Sequence, residues 1–138
     1  MNLSTFHHEI TMLEKMSTLK LAPKLFHHWI DNQTYPAHYG FIVMERMTKT
    51  VKDILLKRDL KPYELSYLEE KIADMHKAHI KHGDLKPSNI GVHVNESGYI
   101  TKMRMIDWAK GASTRDKSLF DRDTRTFYAH IKKNISER

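Results

Sequence analysis

Apolar residues recur at the spacing of an α-helix in several stretches of the chain. A first helix is predicted from Leu3 to Met16, a longer one from Ser66 to about Ile80, and a last one from about Asp121 to Asn134. A short helix is predicted between Thr50 and Arg58, and the linker after it is expected to end at Pro62. In the first helix the apolar face is formed by Leu3, Phe6, Ile10, Leu13 and Met16.

Four runs of apolar and aromatic residues indicate β-strands instead. Two of them, Lys24–Ile30 and Tyr39–Met44, are separated by turn-forming residues. The other two, Ile90–Val94 and Met103–Ile106, are joined by the sequence 95–98, which predicts a β-hairpin. No internal repeat or low-complexity segment divides the chain, so the helices and strands are expected to form one domain.

The composition limits the class of protein, its cellular compartment and its partners. Of its 138 residues, 40% are hydrophobic and 29% are charged, as in an ordinary domain with a hydrophobic core. There is no cysteine for disulfides or thiolate metal sites, and no apolar run near the ~20 residues of a membrane span. A cytoplasmic protein without membrane contact is therefore predicted. The net charge of +6 would favour polyanions, but basic and acidic residues are interspersed, so nucleic acid is not expected as a partner.

A set of polar residues brackets the predicted hairpin. Asp84 and Asn89 lie in the polar loop before its first strand, and Asp107 follows its second strand. Because the two strands pair, these three side chains are expected to meet at one end of the hairpin. A carboxylate and an amide oxygen are hard ligands of the kind that Mg²⁺ prefers, and a further carboxylate can orient a hydroxyl. The pattern therefore indicates phosphoryl transfer, which depends on positioning and charge neutralisation.

These residues belong to two longer motifs, His82-Gly83-Asp84-Leu85-Lys86-Pro87-Ser88-Asn89 and Ile106-Asp107-Trp108-Ala109. The first resembles the catalytic loop of the protein-kinase-like superfamily, serine/threonine type, and the second resembles its metal-binding motif. The resemblance implies that Asp84, Lys86 and Asn89 are catalytic. It implies further that Asn89 and Asp107 bind Mg²⁺, that ATP is the phosphoryl donor, and that the partner is a protein substrate or another kinase.

The same resemblance implies an α+β, protein-kinase-like fold. It would be mainly the helical C-lobe, with a short β-hairpin and a remnant of the N-lobe sheet. The whole chain, 1–138, would form a single partial domain, in which 1–47 is the N-lobe remnant and hinge and 48–138 is the C-lobe.

Four further residues receive roles from the resemblance. Glu45 and Met47 would lie in the hinge beside adenine, and Glu9 in the first helix would be the partner of the lysine that anchors ATP. Asp123 in the last helix would hold the backbone of the catalytic loop. A stacked hydrophobic column linking the lobes would consist of Leu13, Leu25, Trp108 and His82.

Several positions depart from the family pattern. The sequence contains no G-x-G-x-x-G, and neither the Gly-rich loop nor the strand lysine precedes Glu9. Gly83 stands in place of an arginine, and Ala109 stands where glycine is usual and is expected to restrict the backbone. Gly91 replaces an apolar side chain that would lie under adenine, so the floor of that site is expected to be thin.

Two functions are compatible with this pattern. The first is phosphotransfer from Mg·ATP to Ser/Thr hydroxyls, weak or dependent on missing N-lobe elements. The second is a catalytically defective kinase-lobe mimic that binds and regulates a partner kinase. Retention of Asp84, Asn89 and Asp107 favours the enzyme, whereas the lack of a Gly-rich loop and its lysine favours the mimic.

Overall fold

The computed structural model describes residues 3–31 and 39–136. Within these ranges the helices are α1 (Leu3–Thr18), α2 (Val51–Leu55), α3 (Pro62–Lys77) and α4 (Lys117–Ser136). The strands are β1 (Leu25–Asp31), β2 (Tyr39–Met44), β3 (Lys49–Thr50), β4 (Ile80–Lys81), β5 (Ile90–Val94), β6 (Ile100–Met105) and β7 (Ala112–Ser113). A 3₁₀ turn, Pro87–Asn89, leads directly into β5. No helix formed by these residues is both long and apolar enough to cross a membrane.

The strands of the described ranges form small antiparallel sheets. β1 pairs with β2, β5 lies between β3 and β6, and β4 pairs with β7. α1 packs against β1 and buries Phe6, Ile10 and Leu13. Helices and small sheets are thus mixed in the α+β arrangement that the sequence predicts.

One hydrophobic core joins the helices to the β5–β6 hairpin. Leu13 of α1, Leu68 of α3, Trp108 and Phe127 of α4 are each at most 1% exposed. The ring of His82 lies against that of Trp108, with 4.7 Å between their centroids. Leu25, which the sequence places in the same column, is instead partly exposed on β1 and lies outside this core.

The ends of several elements differ from those predicted, although β2 and β5 have the predicted bounds. α3 begins at Pro62 and not at Ser66, so the assignment of Pro62 to the linker is wrong. Proline is favoured at the first helical position, where its missing N–H has no helical partner to lose. α4 begins at Lys117, ahead of the predicted Asp121, and β6 begins at Ile100. The two-residue strands are not predicted, because two residues leave no periodicity.

Glu64, near the start of α3, holds three segments together through a buried ion pair. Its side chain is 0% exposed and accepts N–H groups from both ends of the Arg58 guanidinium, at 2.7 and 2.9 Å. It also accepts the backbone N–H groups of Lys61 and Ile100, each at 2.8 Å. Burial would raise the pKa of Glu64, but these hydrogen bonds outweigh burial and lower it. The linker, α3 and the β5–β6 hairpin are therefore joined at one carboxylate.

Replacement of Glu64 by alanine is expected to destabilise the fold by about 3–5 kcal/mol, because Arg58 and two backbone N–H groups would lose their acceptor. The measurement is the free energy of unfolding in urea. Glu70→Ala, at an exposed position of the same helix, is the matched control and should change that energy by less than about 0.5 kcal/mol. Similar losses in the two variants would contradict this role of Glu64.

Candidate active site

The loop between β4 and β5, residues 82–89, carries the predicted catalytic side chains. Its own backbone fixes its path: the N–H of Lys86 donates to the carbonyl of Asp84 at 3.0 Å, and the N–H of Asn89 donates to the carbonyl of Lys86 at 2.8 Å. Leu85 between them is fully buried in the core, while Asp84 and Lys86 remain partly exposed. The loop is therefore rooted by an apolar side chain and presents its polar ones to solvent.

A buried carboxylate from α4 anchors the start of this loop. Asp123 is 2% exposed and accepts the backbone N–H groups of His82 and Gly83, both at 2.9 Å. Nε2 of His76 on α3 lies 3.1 Å from the same carboxylate. Burial would raise the pKa of Asp123, but the hydrogen bonds from His76, Gly83 and His82 outweigh burial and lower it. A charged Asp123 thus holds the loop backbone, as the sequence predicts.

Gly83 lies where no larger residue fits. Its φ is +89°, and a Cβ at this position would lie 2.5 Å from the carbonyl oxygen of Lys110. Both the left-handed backbone and the close approach of the segment after Asp107 require glycine here. The arginine of the family pattern could not occupy this position without moving one of the two segments.

The imidazole of His82 connects the loop to the strand end that carries Asp107. Its Nε2 donates to the carbonyl of Ile106 at 2.8 Å, and its Nδ1 accepts the N–H of Asp84 at 3.1 Å. Both bonds together require a neutral ring with its proton on Nε2. Burial lowers the pKa of His82 and outweighs the carbonyl of Ile106 and the surrounding carboxylates, which raise it. Asp84 and Asp107 are both among those carboxylates.

Asp84 and Asn89 contact each other directly. The side-chain Nδ2 of Asn89 donates to the carbonyl of Asp84 at 2.9 Å and to its Oδ2 at 3.2 Å. Both N–H donors of the amide are used in this way, which leaves its oxygen as the group that can bind a ligand. Nζ of Lys86 lies 4.0 Å from the same Oδ2, with both side chains partly exposed. The three predicted catalytic residues of the loop therefore form one cluster.

Asp107 follows β6 in a left-handed backbone conformation with a φ of +58°. Immediately before it, the N–H of Ile106 donates to the carbonyl of Asn89 at 2.9 Å, which holds the two candidate metal ligands at one end of the hairpin. The buried Trp108 fixes the chain directly after it. The left-handed residue of this turn is the aspartate and not Ala109, so the alanine imposes no strain; aspartate tolerates this conformation better than most residues.

Glu9 approaches the same end of the hairpin from α1. Burial raises the pKa of Glu9, and the negative charge of Asp107 raises it further. The helix is held there by His8, whose Nε2 bonds to the carbonyl of Gly111 in the segment after Asp107. Within residues 3–31 and 39–136, no lysine or arginine forms an ion pair with Glu9. The lysine partner implied by the resemblance is therefore not among the described residues.

A cavity of about 460 Å³ opens at the end of β2, where the hinge is predicted. Its lining includes Glu45, Met47, Gly91 and Ile106. A Cβ on Gly91 would lie 2.6 Å from Cγ and 2.7 Å from Cβ of Met47, so the methionine occupies the space that the glycine leaves. The floor that Gly91 is expected to thin is filled from the hinge. The side chain of Glu45 is bonded to Nζ of Lys102 at 2.6 Å, and its backbone N–H donates to the carbonyl of Lys24 at 2.7 Å.

His76 is a site residue that is not identified from the sequence. In the sequence, His76 recurs at helical spacing with Leu68 and Ile72, so it is expected on the buried face of the helix predicted from Ser66. In the structure its ring also stacks on Phe120, with 4.6 Å between centroids, and this contact orients it toward Asp123. A polar residue on an otherwise apolar helix face, one turn before the loop, is the signal that could have identified it.

A loop anchored from a helix behind it, followed by a hairpin that ends in an aspartate, is the arrangement of protein-kinase-like phosphotransferases. Comparison with protein families agrees with this class. The model of the lipopolysaccharide kinase (Kdo/WaaP) family matches residues 1–134, and the chain therefore belongs to that family. No curated protein sequence matches the chain.

Solved structures give the same fold. The chain is similar to one in the crystal structure of the yeast RNA Pol II CTD kinase CTDK-1 complex, with a TM-score of 0.61 and 15% sequence identity. The match covers 83% of this chain and 36% of that chain, so the present sequence spans about a third of it. Significant matches are found for 866 chains of solved structures, so the fold is widely shared. The fold by itself therefore does not select a phosphate acceptor.

Replacing Asp123 with asparagine is expected to destabilise the protein by about 2–4 kcal/mol, because an amide offers one acceptor oxygen to three donors and carries no charge. Urea unfolding measures the loss, and hydrogen exchange at the amides of His82 and Gly83 should become faster. Asp121→Asn, at an exposed position of the same helix, is the control. Unchanged exchange at both loop amides would contradict the anchoring role of Asp123.

Proposed function

We propose that this chain transfers the γ-phosphoryl group of Mg·ATP to a hydroxyl acceptor. The observation that supports this proposal most strongly is the contact between Asp84 and Asn89, with the carbonyl of Asn89 bonded to the residue before Asp107. The two candidate carboxylates and the amide oxygen of Asn89 are therefore carried by neighbouring segments. Phosphoryl transfer needs such a set, because its catalysis is mostly positioning and charge neutralisation.

Asp84 and Lys86 are assigned to the acceptor side of the reaction. The Asp84 carboxylate is partly exposed and held by Asn89, so it can accept a hydrogen bond from an incoming hydroxyl. It can take the proton of that hydroxyl as the new P–O bond forms and the bond from the γ-phosphorus to the β–γ bridging oxygen breaks, which releases ADP. Nζ of Lys86 lies 4.0 Å away on the same side and can neutralise the transferring phosphoryl group. Burial of neutral His82 beneath them keeps Asp84 in place without adding a competing proton donor.

Asn89 and Asp107 are assigned to the metal side. One amide oxygen and one carboxylate fit Mg²⁺, which is usually held by one or two protein ligands while phosphates and water complete its octahedron. In the described part of the chain, His, Asp and Glu form no cluster of three or more that could hold an ion, so a dedicated all-protein metal cage is not assigned. When bound, the ion supplies charge neutralisation for the β- and γ-phosphates.

The nucleotide base is assigned to the cavity at the end of β2. The N–H of Glu45 is taken by the carbonyl of Lys24, and the remaining backbone groups from Glu45 to Met47 can hydrogen-bond a flat heterocycle. The Met47 side chain over Gly91 offers an apolar floor. The printed sequence contains no Gly-rich loop for the phosphates, and Glu9 has no cationic partner among the described residues. We therefore propose that these residues bind nucleotide weakly and transfer the phosphoryl group slowly, so that a high concentration of Mg·ATP is needed.

The acceptor is assigned from the family. The family name describes lipopolysaccharide kinases, so the leading acceptor is a sugar hydroxyl of a lipopolysaccharide. A Ser/Thr hydroxyl of a protein substrate is the second candidate, because Lys86 after Asp84-Leu85 follows the serine/threonine form of the motif. Both acceptors would present an alcohol hydroxyl group to Asp84. We also propose a cytoplasmic location, where ATP is supplied.

A kinase-lobe mimic that binds and regulates a partner kinase is the alternative. The raised pKa of Glu9 supports it, since burial and the charge of Asp107 disfavour the ionised form while no described cation compensates. A site in which Glu9 has no cationic partner would hold a polyphosphate poorly. The two functions differ in one measurable property, which is transfer by the unmodified chain.

Asp84→Asn and Asp107→Asn are each expected to lower phosphoryl transfer by about 100-fold or more, because the first removes the proton acceptor and the second a metal ligand. Transfer of radiolabel from a high concentration of Mg·ATP is measured to lipopolysaccharide and, in parallel, to a generic basic protein. Asp121→Asn is the control and should keep the full rate. The acceptor that is labelled identifies the substrate class.

Two outcomes would contradict the proposed enzyme. If the unmodified chain is folded and labels neither acceptor at a high concentration of Mg·ATP, the mimic is favoured. If it labels one of them and Asp107→Asn does so at the same rate, the assigned metal site is wrong.

A further inference from the structure

A second cavity lies behind the hinge segment, away from Asp84 and Asp107. It has a volume of about 460 Å³, is open to solvent, and is lined by the end of α1, the start of β1 and one face of β6. Its charged lining consists of Lys20, Lys24, Lys102, Arg104 and Glu45. Four cations thus share one cavity with a single carboxylate, and none of them takes part in the proposed reaction.

The positions of these cations are fixed by backbone structure. Lys102 and Arg104 alternate along β6 and therefore lie on one face of it. Lys20 follows α1 in a left-handed turn with a φ of +59°, and its N–H donates to the carbonyl of Ser17 at 3.0 Å. The same connection is tied to β6, where the N–H of Met105 donates to the carbonyl of Leu21 at 2.8 Å. The cationic groups therefore converge without any rearrangement of the backbone.

Glu45 neutralises only part of this charge. Its carboxylate accepts Nζ of Lys102 at 2.6 Å and the backbone N–H of Lys24 at 3.2 Å. The hydrogen bond from Lys102 lowers the pKa of Glu45, and the N–H of Lys24 and the charge of Arg104 add to the effect against burial. In the described part of the chain, neither Lys20, Lys24 nor Arg104 pairs with a carboxylate. The four cations and the one carboxylate of the lining therefore leave a net charge of +3.

We propose that this cavity binds a phosphate group, free or as a phosphomonoester. A phosphate dianion accepts several charge-assisted hydrogen bonds at once, and a guanidinium beside ammonium groups matches that need. The hydroxyl of Ser17 lies on the same wall and can add an uncharged donor, whereas that of Thr18 donates to the carbonyl of Glu14 at 2.9 Å. The volume falls within the range of small-molecule sites and leaves space for the group that carries the phosphate. The site does not depend on the proposed phosphotransfer.

The carboxylate of Glu45 occupies the position at Lys102 that the phosphate would take. Binding must therefore displace Glu45 from Lys102 or share the ammonium group with it. Removing the negative charge of Glu45 without changing its size should strengthen binding, whereas removing Lys102 and Arg104 should weaken it. If the surface attracted anions only through its net charge, substitutions that change the charge by the same amount would change the affinity for phosphate equally, wherever they lie.

Isothermal titration of the full 138-residue chain, without magnesium or nucleotide, tests the proposal with inorganic phosphate and glycerol phosphate as probes. One saturable site is expected, weakened about tenfold or more by Lys102→Gln with Arg104→Gln. Glu45→Gln should tighten it severalfold. The matched control is Lys71→Gln with Lys77→Gln on α3, which removes the same charge and should leave binding unchanged. Circular dichroism of each variant establishes that it is folded.

The two probes distinguish the source of the phosphate. Similar affinities would show that the phosphate group alone suffices, and clear preference for glycerol phosphate would assign the site to an ester; either result supports the proposal. No saturable binding of either probe would overturn it. Equal losses in the two double variants, or a Glu45→Gln variant that binds no more tightly than the unmodified chain, would overturn it as well.

Discussion

The buried carboxylate of Asp123 is the contact on which the rest of the candidate site depends. It binds the loop backbone at His82 and Gly83 and the ring of His76, and so links α3, α4 and the loop at one point. The ring of His82 in turn accepts the backbone N–H of Asp84 at Nδ1, and its Nε2 donates to the carbonyl of Ile106, the residue before Asp107. The backbone at Asp84 and at the residue before Asp107 is thus tied to a third carboxylate, which lies on α4.

Local patterns were sufficient to predict the parts of this structure that depend on periodicity. The amphipathic face of α1, the strand β2 and the hairpin strand β5 were predicted with correct or nearly correct bounds, because burial on one face dictates their apolar spacing. The order of loop and hairpin predicts that Asp84, Asn89 and Asp107 converge. The structure has hydrogen bonds from Asn89 to Asp84 and from the N–H of Ile106 to the carbonyl of Asn89. Contacts between distant segments were not predictable in this way: the place of His76 against Asp123 depends on how α3 packs against α4, and no local pattern records it.

Two departures from the protein-kinase motif, at Gly83 and Gly91, are compensated by neighbouring residues that the sequence does not reveal. Met47 fills the space over Gly91, and the carbonyl of Lys110 occupies the space beside Gly83. Each glycine looks like the loss of a functional side chain when it is read alone. In the fold each one makes room for another segment, so the hinge floor and the loop remain packed. Glu9 is different, because none of the described residues supplies a cation for it.

Whether Asn89 and Asp107 hold one metal ion is tested most directly by paramagnetic broadening in amide NMR spectra, with a trace of Mn²⁺ added in the presence of ATP. Mn²⁺ takes the oxygen ligands that Mg²⁺ takes, and it broadens only nearby signals. Selective broadening of the amides around Asn89 and Asp107 is predicted, and it should disappear in the Asp107→Asn variant. Broadening centred elsewhere, or retained in full by that variant, would contradict the assignment of this loop and hairpin as the metal site.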